Sequence, residues 1–190
     1  SWNSYGFRGT FDGKGYTVSN LGGFNGTSAT YGIFGIVGAD AVIKNVAFVN
    51  VTIDGSACGL FSMRMHGTIE NVYVQGTRTT GGNWSGAFAG LNHGTIKNCV
   101  VNVDDSGSAA TNNGALIGNA ETDCTIENCF AISSKSALVG NENGKTVTIT
   151  NCGVAANAEA FAELADLDLG ALSADYWDTA SGFPVFKTKA

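Results

Sequence analysis

One apolar–polar phrase recurs along the chain: an aliphatic residue, a variable one, an asparagine, then Leu, Val or Cys. It reads Val18-Ser19-Asn20-Leu21, Ile43-Lys44-Asn45-Val46, Ile69-Glu70-Asn71-Val72, Ile96-Lys97-Asn98-Cys99, Ile126-Glu127-Asn128-Cys129 and Ile149-Thr150-Asn151-Cys152. The asparagines advance by 25, 26, 27, 30 and 23 residues. A second phrase precedes the first in five of its six occurrences: Gly32-Ile33-Phe34-Gly35, Gly59-Leu60-Phe61-Ser62, Ala87-Phe88-Ala89-Gly90, Ala115-Leu116-Ile117-Gly118 and Ala137-Leu138-Val139-Gly140. Two phrases repeated in one order define a structural repeat, and the repeat sets the fold.

Each unit holds short runs rich in Val, Ile, Thr and Phe, broken by Gly and Asn, which predicts short strands. No unit has room for a ten-residue helix beside its strands, and about 40 residues would be needed for a propeller blade. The pattern therefore predicts an all-β parallel β-helix of about six coils, stacked at about 4.8 Å, with equivalent residues in ladders. Asparagine tolerates left-handed backbone at a bend and can bond the amide one coil away. Asn20, Asn45, Asn71, Asn98, Asn128 and Asn151 are expected to form one such ladder. Val46, Val72, Cys99, Cys129 and Cys152, one residue on, are expected to fill the interior. The variable position runs Lys44, Glu70, Lys97, Glu127, Thr150, so opposite charges alternate from coil to coil and oppose a slipped register.

Composition narrows the classes. The 190 residues are 44% hydrophobic and 14% charged, with 27 Gly and one Pro. That excludes collagen, which needs Pro and a strict three-residue period. No apolar run approaches the roughly 20 residues of a spanning helix, so membrane insertion is not expected. The net charge of −6 leaves no basic stripe to displace counterions from phosphates, and nucleic acid is not an expected partner. Five cysteines cannot all pair, and their spacing matches no zinc pattern. The chain begins at Ser1 without the pattern of a signal peptide. Residues 2–11 read as a partial first coil, so upstream domains of the same polypeptide are expected.

The opening Phe7-Arg8-Gly9-Thr10-Phe11-Asp12-Gly13-Lys14-Gly15-Tyr16-Thr17-Val18-Ser19-Asn20-Leu21 resembles the start of bacterial GLUG-repeat regions. Gly59-Leu60-Phe61-Ser62, Gly67-Thr68-Ile69-Glu70-Asn71-Val72 and the closing Gly182-Phe183-Pro184-Val185 are similar to later parts of such arrays. The resemblance implies a right-handed parallel β-helix from a surface or secreted protein, of the kind found in adhesin-like proteins and in non-catalytic parts of some immunoglobulin A peptidases. It carries no active site. Ser62 in place of a glycine and the longer segment after Val103 depart from the pattern.

Residues 1–156 are read as the β-helix and 157–190 as a C-terminal cap. In the cap, Phe161, Leu164 and Leu167 recur at helical spacing between acids. With Asn157 as N-cap and Gly170 as stop, a helix over 158–169 is expected across the last coil. Tyr176, Trp177, Phe183 and Phe186 would complete that lid.

Candidate chemistry is sparse. His66 and His93 each open a His-Gly-Thr-Ile phrase in neighbouring coils, which suits either stacked imidazoles or a plain turn. Asp54, Arg78, Asp104 and Asp105 make the best charged cluster, with Arg78 and Asp105 placed to pair across coils as a surface ion pair. Asn102 to Gly107 fails as a calcium loop at its first and last ligands. Gly144-Lys145-Thr146 lacks the first glycine of a phosphate loop and reads as a turn. Asn25, Asn50 and Asn83 begin glycosylation sequons that this composition produces by chance. Trp84, in a polar glycine-rich stretch with little obvious core to join, and Tyr31, at a comparable entry point, are the candidate residues for stacking on sugar rings, the alternative being that each packs under its own loop. No catalytic residue, metal ligand or cofactor is expected. The sequence thus points to a non-catalytic extracellular module at a bacterial cell surface, with a glycan or host glycoprotein as partner. A structural stalk is the alternative, and a divergent polysaccharide lyase or hydrolase a more distant one.

Overall fold

The computed structural model describes residues 6–22, 32–53, 59–79, 83–108 and 111–189. In chain order its first strands are β1 (Thr10–Ser19), β2 (Ile36–Val37), β3 (Val42–Ile53), β4 (Ser62–Met65), β5 (Thr68–Arg78), β6 (Ala89–Asn92) and β7 (Thr95–Lys97). There follow β8 (Val100–Asp104), β9 (Ile117–Ala120), β10 (Cys124–Glu127), β11 (Phe130–Ser133), β12 (Val139–Asn141), β13 (Val147–Thr150) and β14 (Gly153–Ala155). β2, β4, β6, β9 and β12 stack in parallel as one sheet, and β1, β3, β5, β7, β8, β10, β11, β13 and β14 form the other. The chain is a parallel β-solenoid of about four turns and is 5% helical.

The repeat works because each ladder holds one kind of side chain. Phe11, Ile43, Ile69, Ile96, Ile126 and Ile149 lie in register through β1, β3, β5, β7, β10 and β13. Ile43 to Ile126 in that series are fully buried. Across the interior, Phe61 and Phe88 stack with ring centroids 5.6 Å apart. A large apolar residue in every coil removes one continuous column from water, at about 25 cal/mol per Å².

Asparagine makes the bend between the two halves of each long strand. Asn45, Asn71, Asn98, Asn128 and Asn151 all have φ between 49° and 57°, a left-handed turn that Asn tolerates better than most residues. Their amides bond the coil before: Asn71 Nδ2 donates to Asn45 Oδ1 at 3.1 Å, Asn128 to Asn98 at 2.9 Å and Asn151 to Asn128 at 2.8 Å. Between Asn71 and Asn98 the chain of amides is interrupted, because Asn71 Oδ1 is buried with no hydrogen-bond partner.

Asn20 stands apart from this column. The register of β1 on β3 shifts between Asp12 and Tyr16, where Gly13, Lys14 and Gly15 oppose the single Asn45. Asn45 Nδ2 therefore donates to Asp12 Oδ1 at 3.0 Å, while Asn20 Oδ1 accepts from Asn50 Nδ2 at 2.7 Å. Asn50, also left-handed at φ 54°, continues this second stack, its backbone N donating to Gln75 Oε1 at 3.0 Å. The charge ladder begins at Asp12, in register with Lys44, Glu70, Lys97, Glu127 and Thr150. Lys97 Nζ lies 3.3 Å from Glu70 and Lys44 Nζ lies 3.9 Å from Asp12.

The C-terminal segment differs from the expected lid. Its helix, α1 (Ala158–Ala162), has the expected N-cap, with Asn157 Oδ1 accepting from Ala160 N at 2.8 Å. It ends early: Asp166 is left-handed at φ 63°, and Leu169–Ala171 is a 3₁₀ turn that contains Gly170. From there the chain lies along the outer face of the solenoid, not across its end. Ala47, Val100 and Phe130 on that face form a second core with Phe161, Leu172, Trp177 and Phe186. A short antiparallel pair, β15 (Trp177–Asp178) with β16 (Val185–Phe186), holds the aromatics in place. The tail then reaches β1, where Lys189 N donates to Gly15 O at 2.9 Å. The segment is a strap joining the last coil to the first strand, and it leaves Ile149 on β13 45% exposed.

Candidate functional site

Trp84 sits where the chain enters the five-stranded sheet, and the residue is 37% exposed. Its φ is 60°, a conformation that costs an L-residue about 1–2 kcal/mol. Below it, Gly118 of β9 comes so close that a Cβ there would stand 2.3 Å from Trp84 C. Ser85, fully buried, donates its N–H to Asn112 O at 3.1 Å and accepts from Gly114 N at 3.1 Å, which ties this turn to the next coil. Asn83, the residue before Trp84, accepts from the Thr111 hydroxyl on its Oδ1, so two exposed polar side chains from adjacent coils are joined next to this turn. Tyr31 lies outside the described residues, as do Asp54 and Asn25.

Beneath these turns the structure places Arg78 and Asp105, which pair at 2.6 Å between Nη2 and Oδ2. The expected surface ion pair is instead enclosed, with side-chain exposures of 0% and 1%. The reason is register: Arg78 aligns with the interior Ile53 of the preceding coil. Asp105 Oδ2 also accepts from Ser133 Oγ at 2.7 Å, and Oδ1 accepts from Ser134 N at 2.8 Å and from the Ser134 hydroxyl. Burial alone would raise the Asp105 carboxyl, but the two serines and Arg78 outweigh it and hold the carboxyl below the ordinary range. Arg78 Nη1 donates to Gly114 O at 3.0 Å, so one buried pair braces three successive coils under the Trp84 turn.

Sequence reasoning missed the serines. Ser133 stands in register with Val103 and Gly76, and a hydroxyl at an otherwise apolar position was the mark of a buried partner. Asp104 is exposed and accepts from Ser106 N at 3.1 Å, a turn interaction within the segment weighed as a calcium loop. Gly144-Lys145-Thr146 is a turn, with Lys145 N donating to Glu142 O at 2.9 Å.

His66 and His93 do stack, with ring centroids 4.1 Å apart and planes at 19°. Both Nε2 atoms are buried without hydrogen-bond partners. Desolvation and the Arg64 charge lower the His66 imidazole. Desolvation first, then His66, bring His93 down to about 4, against a raising contribution from Glu121. At neutral pH the pair is an uncharged stack. Cys99, Cys124, Cys129 and Cys152 are free thiols, and burial pushes Cys129 well up. Among the described residues, no three His, Cys, Asp or Glu side chains converge in a way that could hold a metal ion. No helix among them is long and apolar enough to cross a membrane.

Comparison with known proteins gives little. No family model matches the chain, and no solved structure matches it. Among curated proteins, halomucin from Haloquadratum walsbyi is 36% identical over 85 residues, a stretch that is 44% of this chain and 1% of the length of that protein.

Proposed function

We propose that this chain is a non-catalytic, extracellular module of a cell-surface protein that binds carbohydrate or a host glycoprotein. The observation that carries the reading is how polar side chains are used. The asparagine amides, the Glu70–Lys97 pair and the Arg78–Asp105 pair each bond the neighbouring coil, which is the construction of a rigid scaffold. On that scaffold Trp84 is left exposed in a strained backbone. The repeat phrases support a right-handed GLUG-type β-helix of about six coils, counting the partial first one, from a bacterial adhesin-like protein. The surface assignment draws further support from the partial relative, which carries the name of a mucin.

The alternative, a stalk that spaces other domains, is favoured by the strap that ties the last coil to β1. A polysaccharide-cleaving role needs acids converging on an open face, and Asp105 is enclosed in its ion pair. Surface plasmon resonance on an immobilised mucin glycoprotein, before and after periodate oxidation of its glycans, separates the first two readings. Binding that periodate abolishes is the expected result. The absence of binding on both surfaces would favour the stalk.

A further inference from the structure

The following rests on the glycan-binding reading and names its site. We infer that Trp84 is the stacking platform of a saccharide subsite, with Asn83 and Thr111 as polar flanks, and that the subsite takes the apolar face of a neutral pyranose ring.

The argument begins with the backbone. Among the described residues, those other than Gly with positive φ are Asn or Asp with two exceptions, Lys14 and Trp84. An asparagine would make the turn at position 84 with less strain, as it does at the bends of the solenoid. The turn therefore does not require tryptophan. Nor is Trp84 a member of the core: it stays 37% exposed and only partly covered, while the fully buried Phe88 fills the interior of the same coil. Tyr16, also exposed, sits in a strand with ordinary backbone. Strain kept at an exposed aromatic that neither turn nor core demands points to a ligand for its face.

The surroundings define that ligand. Sugar C–H groups pack on an indole face, while ring hydroxyls seek amides and hydroxyls at its edge. Asn83 and Thr111 supply both kinds from two adjacent coils. The nearest described ion pair, Arg78 with Asp105, is fully enclosed, so its charges do not reach a surface ligand. A neutral sugar matches this setting better than an acidic one. The base is rigid: Gly118 under Trp84, the Ser85 hydrogen bonds and the Arg78 brace on Gly114 fix the turn before any ligand arrives, which lowers the entropic cost of binding.

The test compares the wild-type chain with Trp84→Gly and Thr111→Val on an array of neutral and sialylated oligosaccharides, with thermal melting of each. Glycine suits the left-handed turn and offsets the loss of the indole's partial burial, so Trp84→Gly should melt close to the wild-type temperature while its signal on neutral glycans falls about tenfold or more. Thr111→Val should weaken the same signals with little change in melting. If Trp84→Gly binds like wild type, or melts well below it, the subsite is refuted while the module reading stands. If wild type binds no glycan on the array, the glycan reading itself is withdrawn.

Discussion

Asn151 and Asp168 hold each other by two hydrogen bonds, each 2.8 Å: Asn151 Nδ2 donates to Asp168 O, and Asn151 Oδ1 accepts from Asp168 N. The last amide of the ladder has no further coil to bond, and the backbone of the C-terminal segment takes that place. A side chain thereby imitates one rung of a sheet and ends the stack without an orphaned amide. Asn151→Ala removes both bonds and the one to Asn128, and puts alanine at φ 49°. The expected cost is about 2–3 kcal/mol in urea unfolding. Asn151→Gly, which relieves the strain of alanine at this turn, should cost less, the difference being that strain minus the greater unfolded-chain entropy of glycine.

The Arg78–Asp105 pair sets up a second comparison. Removing one partner leaves a charge with no water to replace it, so Asp105→Ala should destabilise by about 3–5 kcal/mol. The double variant Arg78→Met, Asp105→Leu should recover part of that loss, because Ile53 fills the equivalent position with hydrocarbon in the coil before, while Ser133 Oγ, Ser134 N and Gly114 O lose their partners. A cost below about 1 kcal/mol for Asp105→Ala would mean that the pair is solvated.

The stacked histidines give the fold a pH dependence whose sign is fixed. Both imidazoles are held below the ordinary value of 6.5, His93 at about 4. The unfolded chain therefore binds protons that the folded chain refuses. Their contribution to stability is fully present above about pH 6.5 and is lost as pH falls toward 4. Arg64 deepens the effect and Glu121, 3.5 Å from Arg64, opposes it. Asp12, Asp104 and Asp105, all below the ordinary carboxylate value of 3.8, lose their contributions only at lower pH. Melting temperature should thus fall between pH 6.5 and 4.5 in the wild type and be nearly flat in His66→Gln, His93→Gln. A wild-type profile flat over that window would show that the rings are solvated.

Much of this architecture was legible in the residues because a solenoid writes its contacts at one sequence interval. The isoleucine ladder and the alternation of Lys44, Glu70 and Lys97 could be read directly, since each member meets its equivalent one coil away. Asn20 misled because Val18-Ser19-Asn20-Leu21 repeats the phrase, yet Gly13-Lys14-Gly15 inserts residues ahead of it and shifts its partner from Asn45 to Asn50. The strap was hidden for a different reason. Leu164 and Leu167 have helical spacing, but Trp177 and Phe186 find Tyr73 and Ala47 on an outer strand face, a contact with no period to announce it. The burial of Arg78 followed from register with Ile53, which its charge obscured.

Gly118 offers the sharpest test of how the Trp84 turn is built. Its Cα lies under the turn so closely that an added Cβ would stand 2.3 Å from Trp84 C and 2.4 Å from Ser85 N, both backbone atoms with little room to yield. Ser85 is fully buried and bonded to the Asn112–Gly114 turn, so the displacement cannot be confined to the indole. Gly118→Ala should therefore lower stability by about 1–3 kcal/mol, the range for forcing extra volume into close packing. It should also change the environment of the Trp84 indole, visible as a shift of its N–H resonance, while Trp177, held in the separate outer core, keeps its own. Combining Gly118→Ala with Trp84→Gly should not restore the loss, because the clash is with backbone and not with the ring. Full restoration in that double variant would show that the side chain, not the turn, is what Gly118 accommodates.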